Sequence, residues 1–600
     1  MEVVDSRIAD MEHGVSKSAS ETSPLLQNDD RQDNLNNTRH LADNNSTSPE
    51  DADPGAEPSA RLSTGDRTSI LIGILIIGWA FGLDSLVRST YQSYAASSLG
   101  VHTLLSTINV LRSVIAAAVH PAASKIADAF GRFELISVSV AFYIVGTVIE
   151  STAESIEVFI IGAVLYQIGY TCVVFLVEVI IADVTSMRSR VFFSYIPAIP
   201  FLLNAWISGA LAAAVLKITD WRWGIRMWAF IYAGAAAPLL IALYRAAPLR
   251  APHADSRNHS PYLLVRLRTK TVEICQQLDI VGVGLMVAIL TLILTPLTIA
   301  EGQVSQWRSA NIIAPLVLGC LCIPAFIYWE IRGARRPFIP RYLLTDSGVG
   351  AGLAVRCLLN FAWAVQGNYL YTVLIIAFDF SITLATQITA FFTFFGVVTG
   401  VIVGLVIYRT RRLKYSIVFG TILFMVSFAL LTRFPSGTTL HARLGMLSAQ
   451  VLLGIAAGFC TYQTQASVQA ATKHEHVSAL TGVYLASFNI GSALGTCVSG
   501  VIWSENLLPL LKSNLQPLQP PDSTLAEQIY KSPFDIVPAY PVGTEIRDAI
   551  ISSYGAVMRL LCLTGFVICV PMIAFALALK NPRLSTKQSQ PEAGREDVTQ

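Results

Sequence analysis

The sequence predicts an all-α, polytopic membrane protein with about fourteen transmembrane helices, and three observations carry that prediction. Charged residues are only 14% of the chain, whereas soluble proteins contain about 25%. The mean hydropathy is +0.54. Apolar runs of about twenty residues, the length that crosses the hydrocarbon layer, recur along the 600 residues. The net charge of +2 is close to balance and gives no indication of nucleic-acid binding.

Fourteen apolar runs are candidates for membrane spans. They lie near residues 69–87, 104–120, 135–152, 158–181, 192–216, 227–244, 280–300, 312–331, 350–376, 383–407, 416–431, 444–468, 480–503 and 556–579. The residues before the first run are rich in Ser, Asn, Asp and Glu and lack an apolar core. We therefore expect a disordered N-terminal tail, with the first run serving as an uncleaved anchor.

Basic residues cluster in the loops that follow even-numbered runs. These clusters are Lys125 with Arg132, Arg188 with Arg190, Arg332 with Arg335, Arg336 and Arg341, and Arg409 with Arg411, Arg412 and Lys414. The loop after run six is also basic, whereas Arg222 and Arg226 before run six are exceptions. Because basic loops stay in the cytoplasm, the pattern predicts that both termini are cytoplasmic.

A faint internal repeat divides the chain into two halves. Residues 163–172 in run four resemble residues 450–460 in run twelve, an offset of eight runs. This predicts two six-helix bundles separated by two additional helices, a common transporter plan. The expected segments are a cytoplasmic tail (1–67), an N-terminal bundle (68–247), a central cytoplasmic loop (248–277), two added helices (278–345), a C-terminal bundle (346–579) that includes an extracellular loop (504–555), and a second disordered tail (580–600).

The loop after run two carries a motif at the cytoplasmic face. The stretch Ser124-Lys-Ile-Ala-Asp128-Ala-Phe-Gly131-Arg132 resembles the G-x-L-A-D-x-x-G-R loop of the major facilitator superfamily, with Ser124 in place of the first glycine. Its charges, Asp128 and Arg132, face the end of run four, where Asp183 and Arg188 lie. We expect an inner gate in which Arg132 pairs with Asp183; two unconnected solvated loops are the alternative.

Charges at membrane depth are costly and usually functional. Asp84, Arg88 and Tyr91 are spaced to share one face of run one. Asp84 and Arg88 either form a structural ion pair or provide a protonation site. Arg112, midway along run two, needs a counter-charge or an anionic substrate, and Asp84 is one possible partner.

Two further runs carry polar side chains. In run four, Gln167, Tyr170 and Glu178 are predicted to share a face, and Glu178 is either a proton carrier or a structural group. In run nine, Arg356 and Asn360 lie one turn apart, and we expect them to face a cavity because an arginine that faces lipid is unfavourable.

Aromatic and amide side chains gather where an outer cavity is expected. Gln92 joins Tyr91 in run one, and Asn368 and Tyr369 lie in run nine. They form either a substrate wall or the aromatic belt at the membrane interface. The long outer loop, with Tyr540, is expected to act as a lid.

Seven pieces in order resemble the fungal siderophore–iron transporter family of the major facilitator superfamily, over about residues 70–579. They lie at Leu86–Ala95, Ala123–Asp128, Tyr166–Tyr170, Glu178–Asp183, Phe192–Pro197, Trp221–Gly224 and Thr544–Ala549. The resemblance implies the 14-span superfamily fold and import of ferric siderophore complexes by proton symport, with protonation at Asp84 or Glu178 permitting the halves to rock. The expected partners are the ferric siderophore, protons and the bilayer, in a monomer.

The sequence is also compatible with other cargoes and roles. Members that resemble this family exchange glutathione for protons, and haem is a further candidate cargo. The plasma membrane is the expected location; a vacuolar or endosomal membrane is the alternative, since Leu25 and Leu26 fit a sorting pattern. A non-transporting receptor lacks a folded signalling domain. No catalytic pattern, cofactor motif or metal-ligand spacing occurs, so we expect neither an enzyme nor a resident cofactor or metal.

Overall fold

The computed structural model describes residues 64–98, 105–185, 187–246, 279–299, 309–334, 346–470, 477–518, 524–531, 533–581 and 584. Most of both predicted tails, the whole central loop and the Leu25-Leu26 pattern lie outside these residues. The N-terminal tail predicted to end at residue 67 is shorter in the structure, where the first helix begins at Thr64. Within them the chain is helical and contains no strand. A helix satisfies its own backbone groups, which is what the interior of a membrane requires.

The helices follow one another with short connections. The N-terminal part contains α1 (Thr64–Ser98), α2 (Leu105–Phe130), α3 (Arg132–Ser151), α4 (Ile156–Val184), α5 (Met187–Phe193), α6 (Phe201–Ile218) and α7 (Trp221–Ala246). Then come α8 (Ile280–Ile299) and α9 (Ala310–Tyr328). The C-terminal part contains α10 (Ser347–Ile376), α11 (Ile382–Thr410), α12 (Lys414–Arg433), α13 (Leu440–Gln469), α14 (Val477–Leu515), the short α15 (Leu525–Lys531) and α16 (Pro533–Ile536), and α17 (Glu545–Ala578).

Twelve helical segments of the described chain are long and apolar enough to cross a membrane, by length and composition. One of them, Arg188–Ile218, joins most of α5 to α6 across a break that contains Pro197 and Pro200. Two further helices, α2 with 26 residues and α8 with 20, lie at the second and seventh of the predicted apolar runs. The protein is a multi-pass membrane protein, as the hydropathy of the sequence predicts.

The two halves repeat one packing pattern. In the N-terminal half α1 packs on α7, and α3 and α2 pack on α4. In the C-terminal half α10 packs on α17, and α12 and α11 pack on α13. These contacts correspond at an offset of eight spans, which is the offset of the sequence repeat. The two added helices lie outside this scheme: α8 packs on α2, α14 and α9.

The halves meet along two helix pairs, α2 with α14 and α6 with α11. A substrate path between two bundles of this kind runs between the remaining helices of each half. Around this assembly, large apolar side chains such as Leu203, Phe230 and Leu321 are exposed on the outer helix faces. That exposure suits contact with lipid.

Local sequence explains several helix ends. Gly131 joins α2 to α3 with φ of +106°, a conformation that favours glycine and accounts for the glycine in the motif. Ser381 and Thr439 cap α11 and α13 by accepting backbone N–H hydrogen bonds. Asp346 caps α10, and Lys580, whose Nζ lies 2.7 Å from Asp346 Oδ2, lowers the pKa of that carboxyl by a hydrogen bond.

Candidate functional site

The N-terminal half contains a buried polar cluster built on α1. Asp84, Arg88 and Gln92 follow one another at intervals of four, so they lie on one face of the helix, and they are 0%, 2% and 4% exposed. The helix continues to Ser98, well past the apolar run that ends near residue 87, so this face lies deeper in the helix than the sequence indicated. The predicted contact between Asp84 and Arg88 is present.

Arg88 is the centre of the cluster. Its Nε donates to both carboxylate oxygens of Asp84, at 3.0 and 3.1 Å. Its Nη1 donates to Glu150 Oε2 on α3 at 2.6 Å, and its Nη2 donates to Thr147 Oγ1 at 3.2 Å. The guanidinium carbon lies 3.8 Å from the centre of the Tyr166 ring on α4. One cation therefore serves two carboxylates, with three helices supplying its partners.

Asp84 is fully satisfied as a carboxylate. Besides Arg88, the hydroxyls of Tyr143 and Tyr166 both donate to its Oδ2, the latter at 2.9 Å. The Tyr143 ring in turn stacks on Tyr232 of α7, with ring centres 3.6 Å apart. Both carboxylate oxygens of Asp84 therefore have hydrogen-bond donors, from Arg88 and from the two tyrosines.

Glu150 links this cluster toward α2. Its Oε1 accepts from Gln92 Nε2 at 2.9 Å, and Gln92 Oε1 accepts from Arg112 Nη1 at 2.7 Å. Arg112 Nε donates to Gln167 Oε1 at 3.1 Å. Arg112 thus binds two amide oxygens, and the possible pairing with Asp84 is not formed. Glu150 itself is 0% exposed.

Tyr91 and Tyr170 lie beside the cluster and are less central to it. Tyr91 is buried, and it packs with Val87 and Trp228 in an apolar group. Its position is inside the bundle and not on an outer cavity wall. Tyr170 packs its ring against Tyr166 and against the edge of Phe81. Both tyrosines contribute apolar surface around the charged side chains.

A second polar cluster lies where the two halves meet. Gln465 of α13 donates from Nε2 to Glu178 Oε2 at 3.0 Å, and Glu178 is 5% exposed. Tyr462 also forms a hydrogen bond with Glu178. The structure separates Glu178 from Gln167, which faces Arg112, so the polar residues of α4 serve two different clusters.

Arg356 and Asn360 lie on α10, near this second cluster. The Arg356 guanidinium lies over the rings of Phe488 and Tyr484, at 4.7 and 5.4 Å from their centres. Asn360 Nδ2 donates to the Arg356 backbone oxygen at 2.9 Å. Among the described residues no carboxylate lies within ion-pair distance of Arg356, so this cation is held by aromatic faces.

The predicted inner-gate contact is present. Arg132 Nε lies 3.4 Å from Asp183 Oδ2, with both side chains partly buried. Arg188 extends to the other half: its Nε donates to the Tyr408 backbone oxygen at 2.9 Å, and its guanidinium lies over the Tyr408 ring. The side chain of Asp128 lies outside the described part of the structure. Two contacts thus tie helix ends together at the predicted cytoplasmic face.

The predicted outer residues pack within the C-terminal half. The Tyr369 ring stacks on Trp503 with centres 4.0 Å apart, and the neighbouring Asn368 is half-buried. Much of the predicted loop 504–555 is helical, because α14 runs on to Leu515 and α17 begins at Glu545. Tyr540 lines a cavity of about 460 Å³ together with Asp379 and Arg547.

Within the described ranges, no three His, Cys, Asp or Glu side chains are grouped so as to hold a metal ion. The eight described cysteines are free thiols. The polar clusters therefore consist of charges, amides and phenols, which suit proton binding and ligand recognition.

Comparison with known proteins decides the family. The protein described as Siderophore iron transporter 1 of Saccharomyces cerevisiae is 39% identical over 525 residues, which cover 86% of this chain and 82% of that protein. This chain belongs to the fungal siderophore iron transporter family. The Siderophore iron transporter ARN1 of the same yeast is 35% identical, and the MFS siderochrome iron transporter C of Aspergillus fumigatus is 29% identical, each with 86% or more of this chain covered. No family model matches the chain.

Solved structures agree on the fold of this siderophore transporter family member. The crystal structure of the peptide transporter POT in complex with sulfate aligns with a TM-score of 0.51 at 12% identity, over 86% of this chain and 96% of that one. A bacterial homologue of the human lysosomal transporter Spinster, inward-facing and unoccupied, aligns with a TM-score of 0.50 at 13% identity, over 86% and 98%. The fold is that of the major facilitator superfamily, and the protein is a transporter and not an enzyme.

Two residues that the sequence pattern does not mark as functional are central to the siderophore transporter's polar clusters. Glu150 is a carboxylate inside the apolar run 135–152. A charged residue in such a run is the sequence feature that could have identified it as functional. Gln465 is uncharged and lies in a span with several other glutamines, so the sequence does not distinguish it from them. Its contact with Glu178 joins helices that are 287 residues apart in the chain.

Proposed function

We propose that this protein imports ferric siderophore complexes across the fungal plasma membrane by proton symport, with the two halves alternating between outward-open and inward-open states. Membership of a family whose relatives are named siderophore iron transporters supports the cargo. The observation that supports proton coupling is the buried group of two carboxylates, Asp84 and Glu150, around Arg88. Ionisable residues buried among membrane helices are typical of proton relays.

The charge balance of that group favours proton binding. Asp84 and Glu150 are both fully buried, and Arg88 is the cation that bonds to them directly. With all three ionised, the group carries one excess negative charge in a medium of low dielectric constant. One proton from the outer side would neutralise it, and its release on the inner side would restore the charge.

The contacts between the halves suit an inner gate. The Glu178–Gln465 hydrogen bond and the Arg188–Tyr408 contact both cross from one half to the other. Each consists of one or two hydrogen bonds, so neither holds the halves strongly. Rocking of one bundle against the other would break both contacts and open the path toward the cytoplasm. Since the path lies within a single chain, a monomer suffices.

Reconstitution into liposomes tests this function. The purified protein is expected to accumulate one or more iron-labelled ferric siderophores when the outside is acidic, and a protonophore is expected to abolish the accumulation. Glutathione and haem serve as competing cargoes in the same assay. Correctly inserted protein that moves no siderophore, or that moves glutathione or haem in its place, would contradict the proposal. Fluorescent tagging in the native host checks the plasma-membrane location.

A further inference from the structure

Glu150 differs from Asp84 in how well its charge is satisfied. Asp84 accepts hydrogen bonds from the Nε of Arg88 and from two tyrosine hydroxyls. Glu150 accepts one bond from Arg88 Nη1 and one from the neutral amide of Gln92. A carboxylate with fewer donors, sharing a cation that another carboxylate already neutralises, gains more from protonation. The excess negative charge of the cluster therefore falls mainly on Glu150.

The other groups around Glu150 do not supply the missing charge. Arg226 of α7 bonds to the Ser151 hydroxyl, at 3.4 Å, and Arg222 of α7 bonds to the Ala153 backbone oxygen, at 2.9 Å. On α4, the Tyr166 ring stacks against Arg88, and its hydroxyl bonds to Asp84. From α2, Arg112 reaches Glu150 only through the Gln92 amide.

We propose that Glu150 binds the coupling proton and that the Gln92 amide transmits its protonation state to Arg112. This inference rests on the proposed proton symport and names its site. The two ends of the amide are both engaged: Nε2 donates to Glu150 Oε1 at 2.9 Å, and Oε1 accepts from Arg112 Nη1 at 2.7 Å. The protonation state of Glu150 therefore affects the hydrogen bond that Arg112 makes to Gln92.

Protonation reverses the roles at the Gln92 amide. A proton on Glu150 Oε1 turns that oxygen from an acceptor into a donor, so Gln92 must turn its carbonyl oxygen toward Glu150. The amide group then presents Nε2 to Arg112, and two donors do not bond to one another. Arg112 Nη1 is released, on a side chain that is half-buried and lies over the face of Tyr166. No bond is broken except the exchanged hydrogen bonds, and one proton is taken up.

The released Nη1 of Arg112 supplies a hydrogen-bond donor for oxygen-rich cargo, while Nε stays bonded to Gln167. A ferric siderophore presents carbonyl and chelating oxygens, which accept hydrogen bonds from arginine. Proton binding at Glu150 and cargo binding at Arg112 are then mutually favourable, and by reciprocity the cargo also raises the proton affinity of Glu150. A symporter requires this linkage. The state in which both the proton and the cargo are bound is then favoured, and neither ligand favours that state when it is bound alone.

The Glu150→Gln variant of the full-length transporter, reconstituted in liposomes, tests whether Glu150 binds the coupling proton. Glutamine keeps the size and hydrogen-bonding groups of the protonated side chain but binds no proton. The probe is ferrichrome, or whichever of the tested ferric siderophores the wild type transports fastest. We expect exchange of labelled for unlabelled complex to continue, since exchange moves no net proton. We expect gradient-driven accumulation to fall to an inside-to-outside ratio of about one, because the coupling is lost.

Matched variants make the result decisive. Glu154→Gln changes an exposed carboxylate in the loop after α3 and is expected to accumulate cargo like the wild type. If Glu150→Gln neither exchanges nor accumulates, Glu150→Asp decides: acid-driven accumulation with a shifted pH midpoint supports the proposal. Normal gradient-driven accumulation by Glu150→Gln, pH-independent accumulation by Glu150→Asp, or loss of exchange in both variants would overturn it. A wild type whose uptake ignores the gradient contradicts the proton symport itself, before any variant is compared.

Discussion

Arg88 uses all three nitrogens of its guanidinium, and within the described residues it is the cation that bonds directly to Asp84 and Glu150. Its three nitrogens bond to Asp84, Glu150 and Thr147, and its flat face lies on Tyr166. The planar fork of a guanidinium bonds in several directions at once, whereas an ammonium group is a compact point charge. The shape of the side chain therefore matters here as much as its charge.

We expect Arg88→Ala to destabilise the protein and to abolish transport. The substitution leaves two buried carboxylates without their cation, and breaking a buried ion pair in this way costs about 3–5 kcal/mol. Arg88→Lys is expected to recover part of that loss, because a lysine reaches one carboxylate but not both. Denaturant unfolding of the purified protein in detergent measures the change. Arg245→Ala, at an exposed position, is the control; equal stability of Arg88→Ala and Arg245→Ala would contradict the role of Arg88.

At the scale of helices, close packing of α3 on α4 brings the site together. A Cβ atom added to Gly162 would lie 2.7 Å from Glu150 Cα, and one added to Gly169 would lie 2.9 Å from Tyr143 Cα. The two helices therefore lie too close together for any side chain at these two glycine positions. Small residues allow membrane helices to approach closely. Here they place Glu150 against Gly162 and the Tyr143 ring beside the Tyr166 ring, with centres 4.9 Å apart.

Gly162→Ala is expected to push α3 away from α4 and to reduce transport more than it reduces the amount of inserted protein. The added methyl must displace backbone atoms of α3, and overpacking costs about 1–3 kcal/mol. Gly234→Ala in α7 is the matched control, because no atom lies within 4 Å of its added Cβ. Uptake per inserted molecule, compared between the two variants, measures the effect. Equal activity would show that the helix separation is not critical.

Hydropathy predicts the number and order of the helices because the bilayer demands about twenty apolar residues in each crossing. It does not predict where a helix ends once it is buried. The run 69–87 stops before Arg88, yet α1 continues to Ser98, since Arg88 and Gln92 find buried partners on neighbouring helices. A local average of hydropathy contains no information about those partners.

The candidate site was predictable in part, for a similar reason. Asp84 and Arg88 are one turn apart, so their contact follows from helix geometry. The Arg132–Asp183 contact follows from a motif that places both charges at the same membrane face. The Glu150–Gln92–Arg112 chain depends on the packing of α1, α2 and α3, and sequence spacing does not specify which side chains meet across three helices.

At the scale of the whole molecule, the halves touch at the predicted cytoplasmic end through α5 and α11. Arg188 bonds to the Tyr408 backbone there, and a Cβ added to Gly404 would lie 3.6 Å from Phe192 Cβ. Disulfides join Cβ atoms about 3.5–4.5 Å apart. The pair Phe192→Cys and Gly404→Cys is therefore positioned to form a covalent link between the halves.

If transport requires the inner ends of the halves to separate, oxidation of the F192C/G404C double variant will stop siderophore uptake, and a reductant will restore it. The disulfide holds α5 against α11 in the present arrangement, so an inward-open state could no longer form. F192C alone, treated with the same oxidant, controls for the eight free cysteines of the described chain. A mass shift or a change in gel mobility after proteolysis confirms the link. Continued uptake by fully linked protein would mean that the cargo leaves by a route that does not part these two helices.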